Sequence, residues 1–106
     1  MEKKTEILVI GTNEQILATV LRLLNTNELW HATGVATSDA AINACKERAF
    51  QVLLIGAGLT DKEEETLSEK VQVLHPGIHI IPHYGGGSGL LFAEIYLALG
   101  TNNQAQ

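Results

Sequence analysis

The chain has 106 residues, of which 45% are apolar and 18% are charged, so it can bury the core of one domain and is not a disordered tail. Its formal charge of −5, with only seven Lys and Arg, argues against a nucleic-acid-binding protein, which needs clustered cations. No apolar run near the amino terminus is long enough for a signal peptide or a membrane span, and the single Cys45 excludes a disulfide within the chain. We therefore expect one soluble, cytoplasmic domain over residues 1–106 that binds neither nucleic acid nor membrane, with a polar tail at about residues 101–106.

The first predicted strand and helix occupy residues 6–27. Glu6–Ile10 is nearly all apolar and β-branched, as is typical of a strand that is buried on both faces. Asn13 is placed to cap the following helix, which is expected to end at Asn25–Asn27. The apolar residues of this helix recur at helical spacing and are expected to face the core; they are Ile16, Leu17, Val20, Leu21 and Leu24.

The next helix is predicted between two further strands. The second, weaker strand runs from about Trp30 to Ala36, and the third from Val52 to Ile55. Ser38 or Asp39 can cap the helix between them. Its expected inner side consists of Ala41, Ile42, Cys45 and Ala49, so that Cys45 is interpreted as a small buried hydrophobic residue.

The last part of the chain continues the alternation. Thr60–Glu63 is a capping box that opens a third helix, which stops before Pro76. The inward residues of this helix are predicted to be Leu67, Val71 and Leu74. A fourth strand is expected over Ile78–Tyr84, and a fourth helix after the glycine-rich run at residues 85–89.

Strands that alternate with helices through short loops predict a parallel sheet with helices on both faces. Three segments also resemble parts of a response-regulator receiver domain: Ile7–Ile10, Phe50–Asp61 and Leu74–Ile81. The resemblance implies an α/β, flavodoxin-like fold with four parallel strands in the order 2-1-3-4 and without the fifth βα unit of that family. In such a fold, the functional site lies at the carboxyl ends of strands 1 and 3.

The residues that carry phosphorylation in receiver domains are replaced in this chain. The resemblance places Gly11 and Thr12 where two acidic residues hold Mg²⁺, and Gly56 where an aspartate accepts the phosphoryl group. His83 and Tyr84 stand where a Ser or Thr is expected, and the lysine after a fifth strand is missing. We therefore predict a degenerate, truncated pseudo-receiver: a non-catalytic signalling adaptor that acts by binding proteins, without phosphorylation and without a cofactor.

A glycine-lined crevice supports an alternative interpretation, a small-anion or nucleotide-binding protein. Backbone N–H groups in a glycine-rich turn before a helix can be directed at an anion. The predicted ligand-binding residues are Gly11, Thr12, Gly56, Gly58, His83, Tyr84, Gly85, Gly86, Gly87 and Ser88. The glycines after strand 4 also suit a sharp turn, and we favour this purely structural role over a ligand loop.

A remoter alternative is the four-stranded IIB fold of cellobiose-type sugar-transport phosphocarriers, which suits the length of the chain and the number of strands. In that family, the nucleophilic cysteine belongs in the loop after strand 1, near Gly11. Cys45 lies in the second predicted helix and cannot serve there.

The four histidines do not predict a metal site. His79 and His83 share one face of a strand but are about 13 Å apart, too far to bind one ion together. His75 is expected to interact with the last carbonyls of its own helix, and His31 has no evident partner. No nucleophile pairs with His83 by motif, so an enzyme is not predicted.

A homodimer is predicted through the fourth strand and the fourth helix. Residues 90–99 are apolar on nearly every side of a helix, so the sheet can cover only part of them. Strand 4 is expected to be an edge strand that Pro82 only partly protects from pairing. The predicted interface residues are Leu90, Leu91, Phe92, Ile95 and Tyr96, with Leu91 and Ile95 facing outward. Another signalling protein is the second expected kind of partner.

Overall fold

The computed structural model describes residues 5–56, 58–82, 95 and 97, in which strands and helices alternate. The strands are β1 (Thr5–Ile10), β2 (Trp30–Val35), β3 (Val52–Ile55) and β4 (His79–Pro82), and the helices are α1 (Glu14–Asn25), α2 (Ser38–Glu47) and α3 (Asp61–Leu74). The type and order of these seven elements confirm the prediction. Ile95 and Leu97 are also helical, whereas the rest of the predicted fourth helix and the polar tail lie outside the described residues.

The four strands form one parallel sheet in the predicted order, β2-β1-β3-β4. β1 is central, because Ile10 lies opposite Val35 of β2 on one side and Ile55 of β3 on the other. β4 runs parallel to β3, so all four strands end at the same edge of the sheet. Open α/β sheets bind ligands outside the carboxyl ends of their strands, which makes this edge the expected functional site.

Side chains alternate across the sheet and form two apolar layers. Leu8 and Ile10 of β1 pack with the inner residues of α2 and α3, whereas Ile7 and Val9 pack on the opposite face with Leu24 of α1. The four β1 side chains are only 0–3% exposed. Burial on both faces explains why Ile7–Ile10 of β1 and the whole of β3 are continuous apolar runs and do not alternate with polar residues.

Side-chain caps fix the starts of α1 and α3 at the predicted residues. Asn13 Oδ1 accepts a hydrogen bond from the Ile16 N–H at 3.0 Å. At α3, Thr60 Oγ1 accepts from the Glu63 N–H at 3.1 Å, and Glu63 Oε1 accepts from the Thr60 N–H at 2.9 Å. These bonds satisfy backbone donors that have no partner within their helix, so the capping box at α3 is complete.

The predicted cap of α2 is wrong by one residue or more. Thr37, and not Ser38 or Asp39, is the N-cap, and its Oγ1 accepts a hydrogen bond from the Ala40 N–H at 3.1 Å. Thr37 has the extended backbone that an N-cap requires, whereas Ser38 is already the first helical residue.

Three residues that were expected to face the core are exposed instead. Ile16 is 61% exposed because it lies in the first turn of α1, at the margin of the buried arc. Leu74 is 37% exposed at the last position of α3, one turn beyond the buried Val71. Ala49 is exposed because α2 ends at Glu47 and the chain then becomes extended.

Candidate functional site

The loops that follow β1 and β3 meet at the carboxyl edge of the sheet. The Gly56 N–H donates to the Ile10 carbonyl at 2.8 Å, and the Gly11 N–H donates to the Val35 carbonyl at 3.1 Å. A Cβ added to Gly56 would lie 3.1 Å from the Ile10 carbonyl oxygen and 3.7 Å from the Gly11 Cα. The lack of a side chain at Gly56 therefore allows a backbone approach that is tight for any other residue.

A second close contact joins the same loops through Gly58. Gly58 has a φ of 113°, which residues other than glycine rarely adopt. The hydroxyl of Thr12 occupies the space where a Cβ of residue 58 would lie, and the Cβ and Cγ2 of Thr12 would each be 3.0 Å from that atom. A side chain at position 58 is therefore excluded twice, by the positive φ of the backbone and by the Thr12 atoms in the space that it would need.

The structure brings Gly11, Thr12, Gly56 and Gly58 together, as the crevice prediction requires, but it leaves them little binding chemistry. They supply one hydroxyl and no charged side chain. The N–H groups of Gly11 and Gly56, which could otherwise face an anion, already donate to strand carbonyls. Within the described residues, no group of three or more His, Cys, Asp or Glu side chains could hold a metal ion.

A groove of about 310 Å³ lies between the first halves of α2 and α3. Two lysines and two carboxylates stand among its lining residues, so these charges cancel. The groove is lined by Ser38, Asp39, Ile42, Thr60, Lys62, Glu63, Thr66, Leu67 and Lys70. Thr60 and Glu63 already bond to each other's backbone in the capping box.

No protein-family model matches the chain, and no curated protein sequence matches it. Solved structures do. A two-component response regulator from Clostridium difficile is similar with a TM-score of 0.74 at 14% identity, covering 91% of this chain and 96% of that chain. The receiver domain of the hybrid histidine kinase CckA is similar with a TM-score of 0.72 at 15% identity, covering 89% of this chain and 98% of that chain.

The fold is receiver-like. The similarity confirms the fold that the resemblance in β1, β3 and the α3–β4 segment implies. A candidate pilus assembly-related protein from Burkholderia pseudomallei is also similar, with a TM-score of 0.60 at 25% identity over 82% of this chain and 68% of that chain. Identities this low establish the architecture of the receiver-like chain and not its pathway.

The other predicted ligand residues of the receiver-like chain are not part of the described structure. His83, Tyr84, Gly85, Gly86, Gly87 and Ser88 all lie outside the described residues. The choice between a ligand loop and a structural turn at this run therefore stays a prediction. Leu90, Leu91, Phe92 and Tyr96 of the predicted interface also lie outside the described residues.

Ile95 corrects the dimer prediction. It is 0% exposed and packs with Ile7, Val9 and Leu24 on the α1 face of the sheet, so it does not face outward. Leu97, two residues later, is 72% exposed. Two helical positions differ by about 200° around the axis, which explains why one is buried and the other faces solvent.

β4 has one described partner, β3, and its hydrogen-bonding groups alternate between two sides. The His79 N–H donates to the Gln51 carbonyl at 2.9 Å, so the ladder alternation directs the Ile80 N–H away from β3. Pro82 has no N–H to offer on that side. Ile80 is therefore the only residue of β4 that presents an N–H away from β3, which limits strand-to-strand pairing there.

The imidazole ring of His75 contacts a different helix from the one predicted. Its Nε2 bonds to the carbonyl oxygen of Cys45 at 2.7 Å, in the last turn of α2. The predicted contact with the last carbonyls of α3 is made by the backbone of His75 and not by its ring, because the His75 N–H donates to the Val71 carbonyl at 2.8 Å. Cys45 itself is buried, as predicted, and burial raises the pKa of its thiol. Neither group is placed for nucleophilic chemistry at the carboxyl edge.

The most connected polar cluster lies at the opposite, amino edge of the sheet. Glu6 Oε1 accepts from His31 Nδ1 at 2.9 Å and from Arg48 Nη1 at 3.1 Å. The backbone of Glu6 also exchanges hydrogen bonds with Gln51: its N–H donates to Gln51 Oε1 at 2.8 Å, and its carbonyl accepts from the Gln51 N–H at 2.9 Å. Arg48 further lies 5.9 Å from the centroid of the Phe50 ring.

The charges around Glu6 change its ionisation. Partial burial raises the pKa of the Glu6 carboxyl, but the hydrogen bonds and charges of His31 and Arg48 outweigh this and hold the pKa below its ordinary value. The sequence alone indicates no partner for His31. The signal that identifies one is strand register, because Glu6 and His31 are directly opposite each other in the β1–β2 ladder.

Proposed function

We propose that this chain is a pseudo-receiver, a signalling module that binds another protein without a phosphoryl-transfer step. The observation that supports this function is the packing at Gly56. The residue at the end of β3 has no side chain to accept a phosphoryl group, and an added Cβ would lie only 3.1 Å from the Ile10 carbonyl oxygen. Gly11 and Thr12 likewise offer no carboxylate to hold Mg²⁺, which needs oxygen ligands.

Residues 1–106 would act as one domain, in the cytoplasm, through surfaces that are already formed. None of the helices in the described residues is long and apolar enough to cross a membrane. A receiver-like fold presents helices on both faces of its sheet, and these give a partner protein large rigid surfaces that need no ordering on binding.

The small-anion or nucleotide-binding alternative has one observation in its favour, the meeting of Gly11, Gly56 and Gly58 at the carboxyl edge. Two observations weigh against it. Thr12 fills the space beside Gly58, and the N–H groups of Gly11 and Gly56 are engaged in the sheet. The IIB-like alternative gains no support, since Cys45 is buried in α2.

Exposure to a small phosphodonor tests the absence of phosphoryl transfer. Incubation with acetyl phosphate and Mg²⁺ should leave the intact mass unchanged, because no carboxylate stands at Gly11, Thr12 or Gly56. The control is a receiver domain that retains its aspartate, treated in the same tube and analysed by mass spectrometry. A phosphoryl group mapped to residues 11–12 or 56–60 of this chain would refute the proposed function.

A thermal-shift screen with inorganic phosphate, nucleotides and sugar phosphates decides between the two functions. A ligand at a hundred times its dissociation constant should stabilise a binding protein by about 2.7 kcal/mol. We expect no stabilisation by any of these compounds. A reproducible shift that a Gly56→Ala variant abolishes, while the variant keeps its fold, would favour the anion-binding alternative.

The pseudo-receiver is further proposed to form a homodimer through its last helix. Leu97 is 72% exposed, and burying a leucine contributes about 1.5–3 kcal/mol. β4 contributes less than the sequence suggests, because only Ile80 offers an N–H beyond β3.

Light scattering at micromolar concentration tests the dimer. The unmodified chain should be a dimer, and Leu97→Glu should convert it to a monomer by placing a charge in the interface. Val73→Glu is the matched control, since Val73 is 81% exposed on α3, on the other face of the sheet. A monomeric unmodified chain, or equal behaviour of the two variants, would exclude this interface.

A further inference from the structure

Thr12 and Gly58 lie in loops that lead into two helices on opposite faces of the sheet. Thr12 precedes Asn13, the N-cap of α1, and Gly58 lies two residues before Thr60, the N-cap of α3. Leu59, which lies between Gly58 and Thr60, packs against the α2–α3 layer of the core. A contact between Thr12 and Gly58 therefore links the two helix layers at the carboxyl edge.

The contact is specific to this pair of residues. Thr12 Oγ1 occupies the position of the missing Cβ of Gly58, and its Cβ and Cγ2 are the next nearest atoms. Gly58 is the one described residue with a positive φ, at 113°. Any other residue at position 58 would be strained and would also displace Thr12.

We propose that Thr12 and Gly58 form a clasp that holds the β3–α3 loop against the β1–α1 loop and keeps the carboxyl edge in one conformation. The clasp needs no ion and no phosphoryl group, because its two sides are held by direct packing. Its functional consequence rests on the proposed function, since a pseudo-receiver with this clasp presents the same surface to its partner at all times. Its conformational state is then fixed by the sequence and is not set by a signal at this edge.

Backbone ¹⁵N relaxation of the full chain tests the clasp. In the unmodified protein, the Gly58 and Leu59 amides should have order parameters of about 0.85, as in rigid backbone. Thr12→Ala removes the hydroxyl and the methyl that lie against Gly58, and should lower both values below about 0.6, as in flexible loops. Thr12→Ser retains the nearest atom and should keep them near those of the unmodified protein.

Two controls make the result specific. Thr19→Ala removes another threonine, which is exposed on α1, and should leave the loop rigid. The Ile16 amide, bonded to the Asn13 cap, should stay rigid in every variant and so reports that α1 is intact. A rigid Gly58 in Thr12→Ala, or a flexible Gly58 in Thr12→Ser, would overturn the clasp.

Titration of the unmodified protein with Mg²⁺ and with inorganic phosphate completes the test. The amide shifts of Gly11, Gly56 and Gly58 should not move. Movement of these signals would overturn the proposal that the edge has one conformation. This failure is distinct from a failure of the proposed function, which only covalent phosphoryl transfer or specific ligand stabilisation would show.

Discussion

The two ends of this sheet are built by different physical means. At the amino edge, the Glu6 carboxylate is bound by the side chains of His31 and Arg48, and both backbone groups of Glu6 are hydrogen-bonded to Gln51. At the carboxyl edge, the contacts are between backbone and small side chains, with Thr12 against Gly58 and Gly56 against Ile10. The end at which α/β sheets bind ligands is thus the end that lacks ionisable groups within these contacts.

The most polar contacts of the two edges therefore do not lie at the edge where α/β sheets bind ligands. The Glu6 cluster has the hydrogen bonds and the lowered pKa that attract attention in a search for active sites. Its place at the amino edge and its links to β2 and to Gln51 give it a structural role, the attachment of an edge strand. The carboxyl edge has the geometry of a receiver-like fold, and its contacts are made by backbone and small side chains.

The largest effect is expected from filling the carboxyl edge. Gly58→Ala should destabilise the protein by at least about 2 kcal/mol, because alanine is strained at positive φ and its Cβ collides with Thr12. Gly77→Ala is the matched control, since a Cβ at Gly77 meets no atom within 4 Å. It should change the free energy of unfolding by less than about 1 kcal/mol, and could stabilise by restricting the unfolded chain. Urea denaturation of both variants provides the measurement.

Equal stability of the two alanine variants would contradict the close packing at the carboxyl edge. A combined Thr12→Ala and Gly58→Ala variant sharpens the comparison further. Removal of the Thr12 side chain should recover the part of the loss that is due to collision, while the part that is due to φ remains.

A smaller effect is expected at the amino edge. Glu6→Gln should destabilise the protein by less than about 2 kcal/mol at neutral pH, since partly exposed ion pairs contribute about 0.2–1 kcal/mol each. The loss should also depend on pH. The pKa of Glu6 is lower in the folded protein than in the unfolded chain, so its charge stabilises the fold fully at a pH above the unfolded-state pKa. This contribution is lost as the pH falls through the folded-state pKa. The difference between the two proteins should therefore shrink below about pH 4.3, the ordinary value of a glutamate.

Urea denaturation of the unmodified protein and of Glu6→Gln from pH 7 to pH 3 checks this expectation. His31→Gln at neutral pH serves as the comparison variant, because it removes one of the two side-chain partners and leaves Arg48. A stability difference for Glu6→Gln that is the same at pH 7 and pH 3 would show that the carboxylate charge makes no contribution.

The sequence by itself determined the features that depend on neighbours in the chain. The apolar run of β3 predicts a strand with its observed limits, Val52–Ile55, because burial on both faces requires uninterrupted apolar residues. The predicted caps at Asn13 and at Thr60–Glu63 are confirmed, because a cap depends only on residues within about one turn of the helix start. The strand order follows from alternation and resemblance, and the absence of carboxylates at Gly11 and Gly56 is visible directly in the residue types.

Only the tertiary structure decided which residues meet across the sheet. Strand register places Glu6 opposite His31, and the ring of His75 bonds to the end of α2. Ile95 is buried on the α1 face of the sheet, and Thr12 contacts Gly58. Each of these contacts joins residues that are far apart in sequence, and its existence depends on the position and angle of whole elements. Local propensity and periodicity do not specify how whole helices and strands are placed, because that is set by the collective packing of both apolar layers on the sheet.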